Sequence, residues 1–199
     1  MKELLLILLL LNCGITYSQH KFNLKSEDNS SSSGTIELSE ERYEAFKKRS
    51  LEKVTDLGNY IISLTDKSIP AEQGKIVVNL AVSLFQDEEK VVEISSKTST
   101  QVQQLKVRAY FNKLRVLKYS KVDIQWYDIQ YVSNLRLGSD GSYYGVITVF
   151  QKFTGFSGDK IAYTDITQKN IEIKVMQVAT VRGLDWEVLL GNISVVETK

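Results

Sequence analysis

The sequence predicts an α+β domain in which three N-terminal helices pack on an antiparallel sheet of about four long strands and one short strand. Two hydrophobic patterns lead to this prediction. Apolar residues recur at steps of three and four through much of residues 39–118, which is typical of amphipathic helices. From Lys121 onward they alternate with polar residues, which is typical of strands. The connections between these strands are too short for helical crossovers, so the sheet is expected to be antiparallel.

An apolar leader precedes this domain. Lys2 is followed, at residues 4–11, by a continuous run of Leu and Ile. A bilayer span needs roughly 20 apolar residues, so this shorter run fits the apolar region of a secretory signal peptide. Thr16 and Ser18 are small and two positions apart, which suits cleavage after Ser18. Residues 1–18 are therefore predicted to be a signal peptide, and the protein is predicted to be periplasmic or secreted.

The leader also has a second interpretation, as a lipoprotein signal. Leu10-Leu11-Asn12-Cys13 resembles a bacterial lipobox, in which the cysteine is acylated and becomes the new N-terminus. Asn12 departs from the small residue that this pattern has before its cysteine. In this alternative the protein is lipid-anchored through Cys13. Both interpretations take the protein out of the cytoplasm.

Residues 19–38 are predicted to be a flexible polar arm, because they contain a serine run and few apolar residues. The arm holds His20, the one histidine of the chain, and the one cysteine lies in the leader. The single domain predicted over residues 39–199 therefore has neither imidazole nor thiol. Histidine general-base chemistry and histidine or cysteine metal sites are excluded from it, and no metal or cofactor is expected.

The helices are predicted in order from their caps and apolar stripes. The first begins at Ser39 as N-cap and ends near Thr65. The second begins around Pro70, because proline is tolerated in a first turn. Its buried face is expected to comprise Val77, Leu80, Ala81, Leu84 and Phe85. After a short strand at residues 91–94, the third helix is predicted from about Thr100 to Lys118, with basic residues scattered around its apolar arc.

The strand region follows. Val122, Ile124 and Trp126 alternate, and the pattern then moves to the other parity, which predicts a bulge or bend near Trp126-Tyr127. Residues 138–141, Gly-Ser-Asp-Gly, predict a hairpin turn. Long strands are predicted over 143–153, 161–178 and 186–196.

This order of elements resembles the nuclear transport factor 2-like superfamily, which includes SnoaL-like proteins, over about residues 39–196. The resemblance implies a strongly curved, cone-shaped, cystatin-like sheet that wraps a long helix and leaves a pocket. Some members catalyse isomerisation or dehydration there, and many only bind. The resemblance further implies that an enzyme lacking a His-Asp pair would use an Asp base with Tyr or Asp residues as oxyanion donors.

Asp165 is the candidate catalytic residue, because it shares strand parity with Tyr163 and Thr167. Burial in an apolar cone would raise its carboxyl pKa toward a range useful for proton transfer. The alternative is a structural role, in which Asp165 bonds to a neighbouring strand or faces solvent. The candidate ligand-binding residues are aromatic or acidic side chains of the sheet: Trp126, Tyr131, Tyr144, Tyr163 and Asp165.

The charge and composition of the chain exclude some classes of partner and favour others. With 25 basic and 24 acidic residues, the net charge of +1 gives no general field for nucleic acid or an anionic membrane. The leader, the aromatic-rich sheet and the missing catalytic constellation favour an exported cell-envelope binding or accessory domain without catalytic machinery. Its partner would be an envelope protein or a small apolar ligand. The alternatives are a pocket enzyme of isomerase or lyase type that uses Asp165, and a structural homodimer.

Overall fold

The computed structural model describes residues 38–131 and 133–199, except for the side chains of Thr100 and Tyr131. In this part of the chain three helices pack against a curved, open sheet of seven strands, so the predicted α+β class is confirmed. The helices are α1 (Glu40–Thr65), α2 (Ala71–Val82) and α3 (Val107–Arg115). The strands are β1 (Val91–Ser96), β2 (Ser99–Lys106), β3 (Lys121–Tyr131), β4 (Arg136–Leu137), β5 (Tyr143–Ser157), β6 (Lys160–Thr180) and β7 (Gly183–Thr198). The predicted signal peptide, Cys13 and the arm up to residue 37 lie outside the described residues.

The sheet has the strand order β2-β1-β7-β6-β5-β3, and the short β4 pairs with β5. Neighbouring strands are antiparallel except for β1 and β7, which run parallel with Val92 opposite Ile193. The predicted antiparallel pairing is confirmed for the long strands β3, β5, β6 and β7, but the short strand β1 runs parallel to β7, so the sheet is mixed. A parallel pair needs a long connection, and here most of the domain lies between the two strands in sequence.

Helix α1 begins where the sequence predicts. The hydroxyl of Ser39 accepts a hydrogen bond from the backbone N–H of Arg42 at 3.4 Å. Glu40 and Glu41 occupy the first turn, where the helix dipole favours negative charge. The predicted apolar stripe is buried: Phe46, Val54, Leu57, Ile61 and Leu64. The amphipathic pattern thus places one long helix on the core.

Helix α2 differs from the prediction on one side. Pro70 is its N-cap, but Leu80 is 46% exposed and does not belong to the buried face. The buried positions within the helix are Gly74, Val78, Ala81 and Val82. Leu84 and Phe85 are buried as well, but they follow the helix, which ends at Val82. Because the apolar period in the sequence continues through Leu84 and Phe85, it predicts a buried face that includes Leu80.

The first part of the predicted third helix is wrong, because residues 99–106 form strand β2. This strand forms an antiparallel hairpin with β1, in which Val92 pairs with Leu105. Lys106 keeps an extended backbone, with ψ of 148°, and α3 begins at the next residue. Edge strand β2 is mostly polar, and its two apolar residues, Val102 and Leu105, lie on opposite faces, so it lacks the alternation by which strands are recognised in sequence.

The predicted bulge in the first long strand is confirmed. The register of β3 against β5 shifts between Tyr127 and Gln130, and Asp128 between them has φ of 49°. Left-handed backbone is unfavourable for a residue with a Cβ, so this bulge carries local strain. The predicted hairpin turn also forms, between β4 and β5, and Gly141 supplies the left-handed residue with φ of 75°.

The hydrophobic core lies between the helices and the face of the sheet that we call the inner face. Central strands β5 and β6 contribute fully buried Ile147 and Ile171, and the helices contribute Leu57 and Phe111. None of the described helices is long and apolar enough to cross a membrane. The helices pack on the inner face of the sheet. The side chains of β6 that point to this face are therefore the ones that can line a cavity between the sheet and the helices.

Candidate functional site

A cavity of about 260 Å³ lies between α3 and the inner face of the sheet. Alternate residues of β6 line one wall of this cavity, which we call the β6 cavity: Tyr163, Asp165, Thr167 and Lys169. Together with the other polar lining residues they form what we call the polar side: Ser95, Ser96, Thr98, Lys113 and Gln151. The apolar and aromatic lining residues form what we call the apolar side: Ile94, Tyr110, Leu114, Leu117, Tyr119, Ile124 and Phe153. The two sides adjoin, because Phe153 of β5 pairs with Asp165 of β6.

Strand geometry explains the polar side. Successive side chains of a strand point to opposite faces, so the odd-numbered residues of β6 share the inner face. The register with β5 places Phe153 opposite Asp165 and Gln151 opposite Thr167. Gln151 and Phe153 also line the cavity. Two central strands thus hold polar and aromatic groups in fixed rows at the cavity wall.

Tyr163 and Asp165 form the best-defined contact of the cavity. The Tyr163 hydroxyl donates a hydrogen bond to Asp165 Oδ2. The same hydroxyl accepts a hydrogen bond from the backbone N–H of Lys97 at 3.0 Å and lies 2.9 Å from Ser96 Oγ. Because the phenol has one proton and gives it to Asp165, the Ser96 hydroxyl is the donor in that pair. Tyr163 is therefore fully engaged by these three groups.

The environment of Asp165 favours its neutral form. The residue is 6% exposed, and this burial raises the pKa of its carboxyl group above the usual value. The hydrogen bond from Tyr163 and the charges of Lys169 and Lys97 act in the opposite direction but do not cancel the effect. A carboxyl group with a raised pKa holds its proton more tightly than an ordinary aspartate, and beside a cavity it can exchange that proton with a bound molecule.

Lys169 is buried deeper along the same row. It is 4% exposed, and burial lowers its pKa to about 8, against the attraction of Asp165 and Glu93. Its Nζ donates a hydrogen bond to the backbone carbonyl oxygen of Glu93 at 2.8 Å. Within the described part of the chain Lys169 makes no salt bridge, whereas Lys174 on the same strand forms one with Asp140.

A row of three aromatic rings runs from the apolar side to the polar side of the cavity. The rings of Tyr119 and Phe153 have centroids 5.6 Å apart, and those of Phe153 and Tyr163 are 6.0 Å apart. Gly155 lies under the Tyr119 ring, where an added Cβ would come 2.5 Å from a ring carbon. The glycine thereby lets Tyr119 lie against the sheet and close one end of the row.

Two enclosed polar atoms near the cavity have no hydrogen-bond partner among the described residues: Gln151 Oε1 and Trp126 Nε1. Trp126 and Gln151 are cross-strand neighbours on β3 and β5. Unsatisfied buried groups are uncommon in folded proteins, and water or a ligand often satisfies them. Gln151, which lines the cavity, could accept a hydrogen bond from a bound molecule after a change of rotamer.

The structure brings together two of the predicted site residues. Tyr163 and Asp165 line the β6 cavity and contact one another. Trp126 does not line it, and its ring lies against Gly58 of α1, where an added Cβ would be 3.5 Å from the indole. Tyr144 is 40% exposed on the other face of the sheet and donates a hydrogen bond to Asp140 at 2.7 Å. The side chain of Tyr131 lies outside the described residues.

The sequence interpretation missed Lys169 and Gln151. Lys169 is four residues after Asp165, so both side chains point to the inner face if the strand is continuous between them. Strand β6 is continuous at this point, and only its register with β7 shifts, between Gln168 and Lys169. Gln151 becomes identifiable only through the pairing of β5 with β6, because its own neighbours in sequence give no sign of a cavity.

Among the described residues, no group of three or more His, Cys, Asp or Glu side chains could hold a metal ion. The polar side of the cavity consists instead of hydroxyl, amide, one carboxyl and amino groups. These groups can donate and accept hydrogen bonds and transfer protons. They suit a small organic molecule.

No protein-family model matches the sequence, and no curated protein matches it. A crystal structure of the Kfla4162 protein from Kribbella flavida is 11% identical with a TM-score of 0.39, covering 77% of this chain and 95% of that chain. A hexachlorocyclohexane dehydrochlorinase (LinA) Type2 is 14% identical with a TM-score of 0.39, covering 78% and 91%. ActVI-ORFA from Streptomyces coelicolor is 11% identical with a TM-score of 0.36, covering 73% and 95%. Similarity at this level establishes neither a family nor a function for this chain.

Proposed function

We propose that this protein is an exported binding domain of the nuclear transport factor 2-like kind, which holds a small, largely apolar molecule in the β6 cavity. The observation that carries the proposal is the division of this cavity into an aromatic and aliphatic side and a polar side. Ligand pockets are commonly apolar with a few polar groups that orient the ligand. The volume of about 260 Å³ lies just below the common range of such pockets, so the ligand is small.

Export is the other part of this proposal, and it rests on the leader at residues 1–18. Cleavage after Ser18 would give a free protein, and acylation of Cys13 would give an anchored one. The protein partner and the homodimer expected from the sequence stay predictions. Mass spectrometry of the N-terminus of protein purified from cell envelopes would separate the two forms, and an unprocessed Met1 would contradict export.

The engagement of Tyr163 favours binding over catalysis. A tyrosine that stabilises a developing oxyanion must donate its proton to the substrate. The proton of Tyr163 is instead directed at Asp165, and both neighbours at Ser96 and Lys97 act as donors to its oxygen. In this arrangement Tyr163 holds Asp165 in place rather than presenting a donor to the cavity.

Binding can be tested with N-phenyl-naphthylamine, an apolar dye whose fluorescence increases in apolar surroundings. Leu117→Trp would fill part of the cavity, whereas Leu137→Trp enlarges an exposed side chain outside it and serves as the matched control. We expect saturable binding to the wild type and the control, and binding to Leu117→Trp that is weaker by about tenfold or more. Equal affinity of all three proteins would refute the β6 cavity as the binding site.

A second candidate function is proton transfer by Asp165, as in an isomerase or lyase. The raised pKa of its buried carboxyl group is the observation that favours it. Deuterium exchange next to the carbonyl of tetralone, followed by NMR, tests this function without knowledge of the substrate. The wild type should accelerate exchange, and Asp165→Asn should remove at least about a hundredfold of the acceleration. Equal exchange with both proteins would reject this role.

A further inference from the structure

Lys169 is an unusual lysine because it is buried against a cavity. Its side chain is 4% exposed and lines the β6 cavity together with aromatic and aliphatic residues. Lys174, on the same strand, offers a direct contrast. Its parity places it on the other face of the sheet, and its Nζ forms a salt bridge with Asp140 Oδ2 at 2.9 Å. Of these two lysines of β6, Lys169 is the one that lines the cavity.

The charged and titratable groups around Lys169 come from three elements. On its own strand β6 they are Asp165 and Tyr163, and on α3 they are Tyr110 and Lys113, all of which line the same cavity. On β1 the group is Glu93, whose carboxylate accepts hydrogen bonds from Gln104 Nε2 at 3.1 Å and from the Val195 backbone N–H at 2.8 Å. Glu93 therefore offers Lys169 its backbone oxygen, and Asp165 is the acid that shares the cavity with the amine.

These surroundings increase the fraction of Lys169 that is neutral. Burial lowers the pKa of Lys169 from 10.5 to about 8, whereas the Asp140 contact raises the pKa of Lys174. Near pH 7 the unprotonated fraction of Lys169 is therefore higher by about 300-fold than that of a lysine with an ordinary pKa. The neutral amine is the form that attacks carbonyl carbon, and desolvated lysines in apolar pockets are typical nucleophiles.

We propose that the β6 cavity takes an apolar aldehyde or ketone and that Lys169 Nζ binds its carbonyl carbon covalently as an imine. This inference rests on the proposed function, because the carbonyl compound must first enter the cavity. The nitrogen lone pair forms the C–N bond while the π bond of the carbonyl group breaks, and a proton moves from nitrogen to oxygen to give a carbinolamine. The carbinolamine hydroxyl then takes a proton from a neighbouring acid and leaves as water, which gives the protonated imine. Return of one proton to that acid gives the imine, so the net change is amine and carbonyl compound to imine and one water.

Neighbouring groups fit both steps of this reaction. Asp165, with its raised pKa, can supply the proton that leaves with the water. The backbone oxygen of Glu93 accepts a hydrogen bond from Lys169 Nζ and can keep that bond with the N–H of the protonated imine. The apolar side of the cavity surrounds the body of the bound molecule. Imine formation at Lys169 therefore uses groups that already surround the amine, and it requires no change in the fold.

The experiment uses the full-length protein with naphthaldehyde as probe and cyanoborohydride to reduce any imine to a stable secondary amine. Peptide mass spectrometry then locates the adducts. Lys174 is the internal control, and the chain's α-amino group, with an ordinary pKa of about 8, is the standard for a solvent-exposed reactive amine. Naphthalenemethanol, which has no carbonyl group, serves as competitor for the cavity.

Near pH 7 we expect Lys169 to be labelled at least about 100-fold faster than Lys174. The competitor should slow labelling at Lys169 and leave labelling of the α-amino group unchanged. Lys169→Arg should lose the adduct at this position, whereas labelling of the α-amino group should continue unchanged. Labelling of Lys169 no faster than Lys174, or unaffected by the competitor, would overturn the inference.

The dye separates the two proposals. Saturable dye binding without an adduct at Lys169 would overturn imine formation and leave the binding function in place. Loss of both would overturn both. If Lys169→Arg does not fold, the site-resolved labelling of the wild-type protein still decides, because it needs no variant.

Discussion

Replacing Lys169 with methionine is expected to change how the stability of the fold depends on pH. In the folded protein burial lowers the pKa of this lysine from 10.5 to about 8, and unfolding restores the ordinary value. Between these two values the unfolded chain binds more protons than the folded one, so the free energy of unfolding rises with pH. The lowered pKa corresponds to a rise of about 3 kcal/mol. Methionine fills a similar volume without a titrating group.

Urea denaturation followed by circular dichroism at about pH 7 and about pH 10.5 measures this effect. The stability of the wild type relative to Lys169→Met should increase by about 3 kcal/mol between the two conditions. Taking the difference between the two proteins removes the contributions of the other lysines and tyrosines, since both chains carry them. A difference that stays constant with pH would refute the reasoning and show that the folded protein does not disfavour the charged amine.

Lys174→Met is the matched control. The hydrogen bond to Asp140 raises the pKa of Lys174, so its stabilising contribution is present below its ordinary pKa and is lost only as pH rises through the higher folded value. The stability difference between wild type and Lys174→Met should therefore be the same at about pH 7 and pH 9. If the stability difference for Lys174→Met changed with pH as that for Lys169→Met does, burial on the inner face of the sheet would not be the cause of the pH dependence.

Three further predictions concern the cavity and the sheet. Gly155→Ala should lower the free energy of unfolding by about 1–3 kcal/mol, because the Cβ would lie 2.5 Å from the Tyr119 ring; unchanged urea denaturation would contradict the close packing. Asp128→Gly should raise stability by up to about 1 kcal/mol in the same assay, because φ at this position is 49°, and a loss of stability would argue against strain there. Tyr163→Phe should raise the pKa of Asp165 further by removing a hydrogen bond to its charged form, as measured by carboxyl-carbon NMR; a lower pKa would exclude this donor role.

The bounds of α1 and the half-buried strands could be predicted because each carries its own periodic signal. Ser39 is followed by a regular apolar stripe, and the alternation from Lys121 onward records a strand with one face on the core. Strand β2 could not be predicted in this way. As an edge strand with polar residues on both faces, it is stabilised by backbone pairing with β1, which leaves no pattern in the sequence.

The candidate site could likewise be predicted only where a local pattern in the sequence indicates it. The shared parity of Tyr163 and Asp165 is a local property, and the structure places both at the β6 cavity. Lys169 and Gln151 join them because β5 and β6 pair in one particular register, which is a property of the whole sheet. The parallel contact of β1 with β7 likewise depends on residues about a hundred positions apart, so no local pattern indicates it.

The hydrogen bond between Tyr163 and the backbone N–H of Lys97 has a consequence for observing the cavity in solution. Lys97 lies in the turn between β1 and β2, and neighbouring residues Ser96 and Thr98 line the cavity. Its amide can exchange with deuterated solvent only when this turn moves away from Tyr163. The exchange rate of that single amide therefore counts openings of the turn. A ligand that makes the turn more rigid would slow the exchange without touching Lys97 itself.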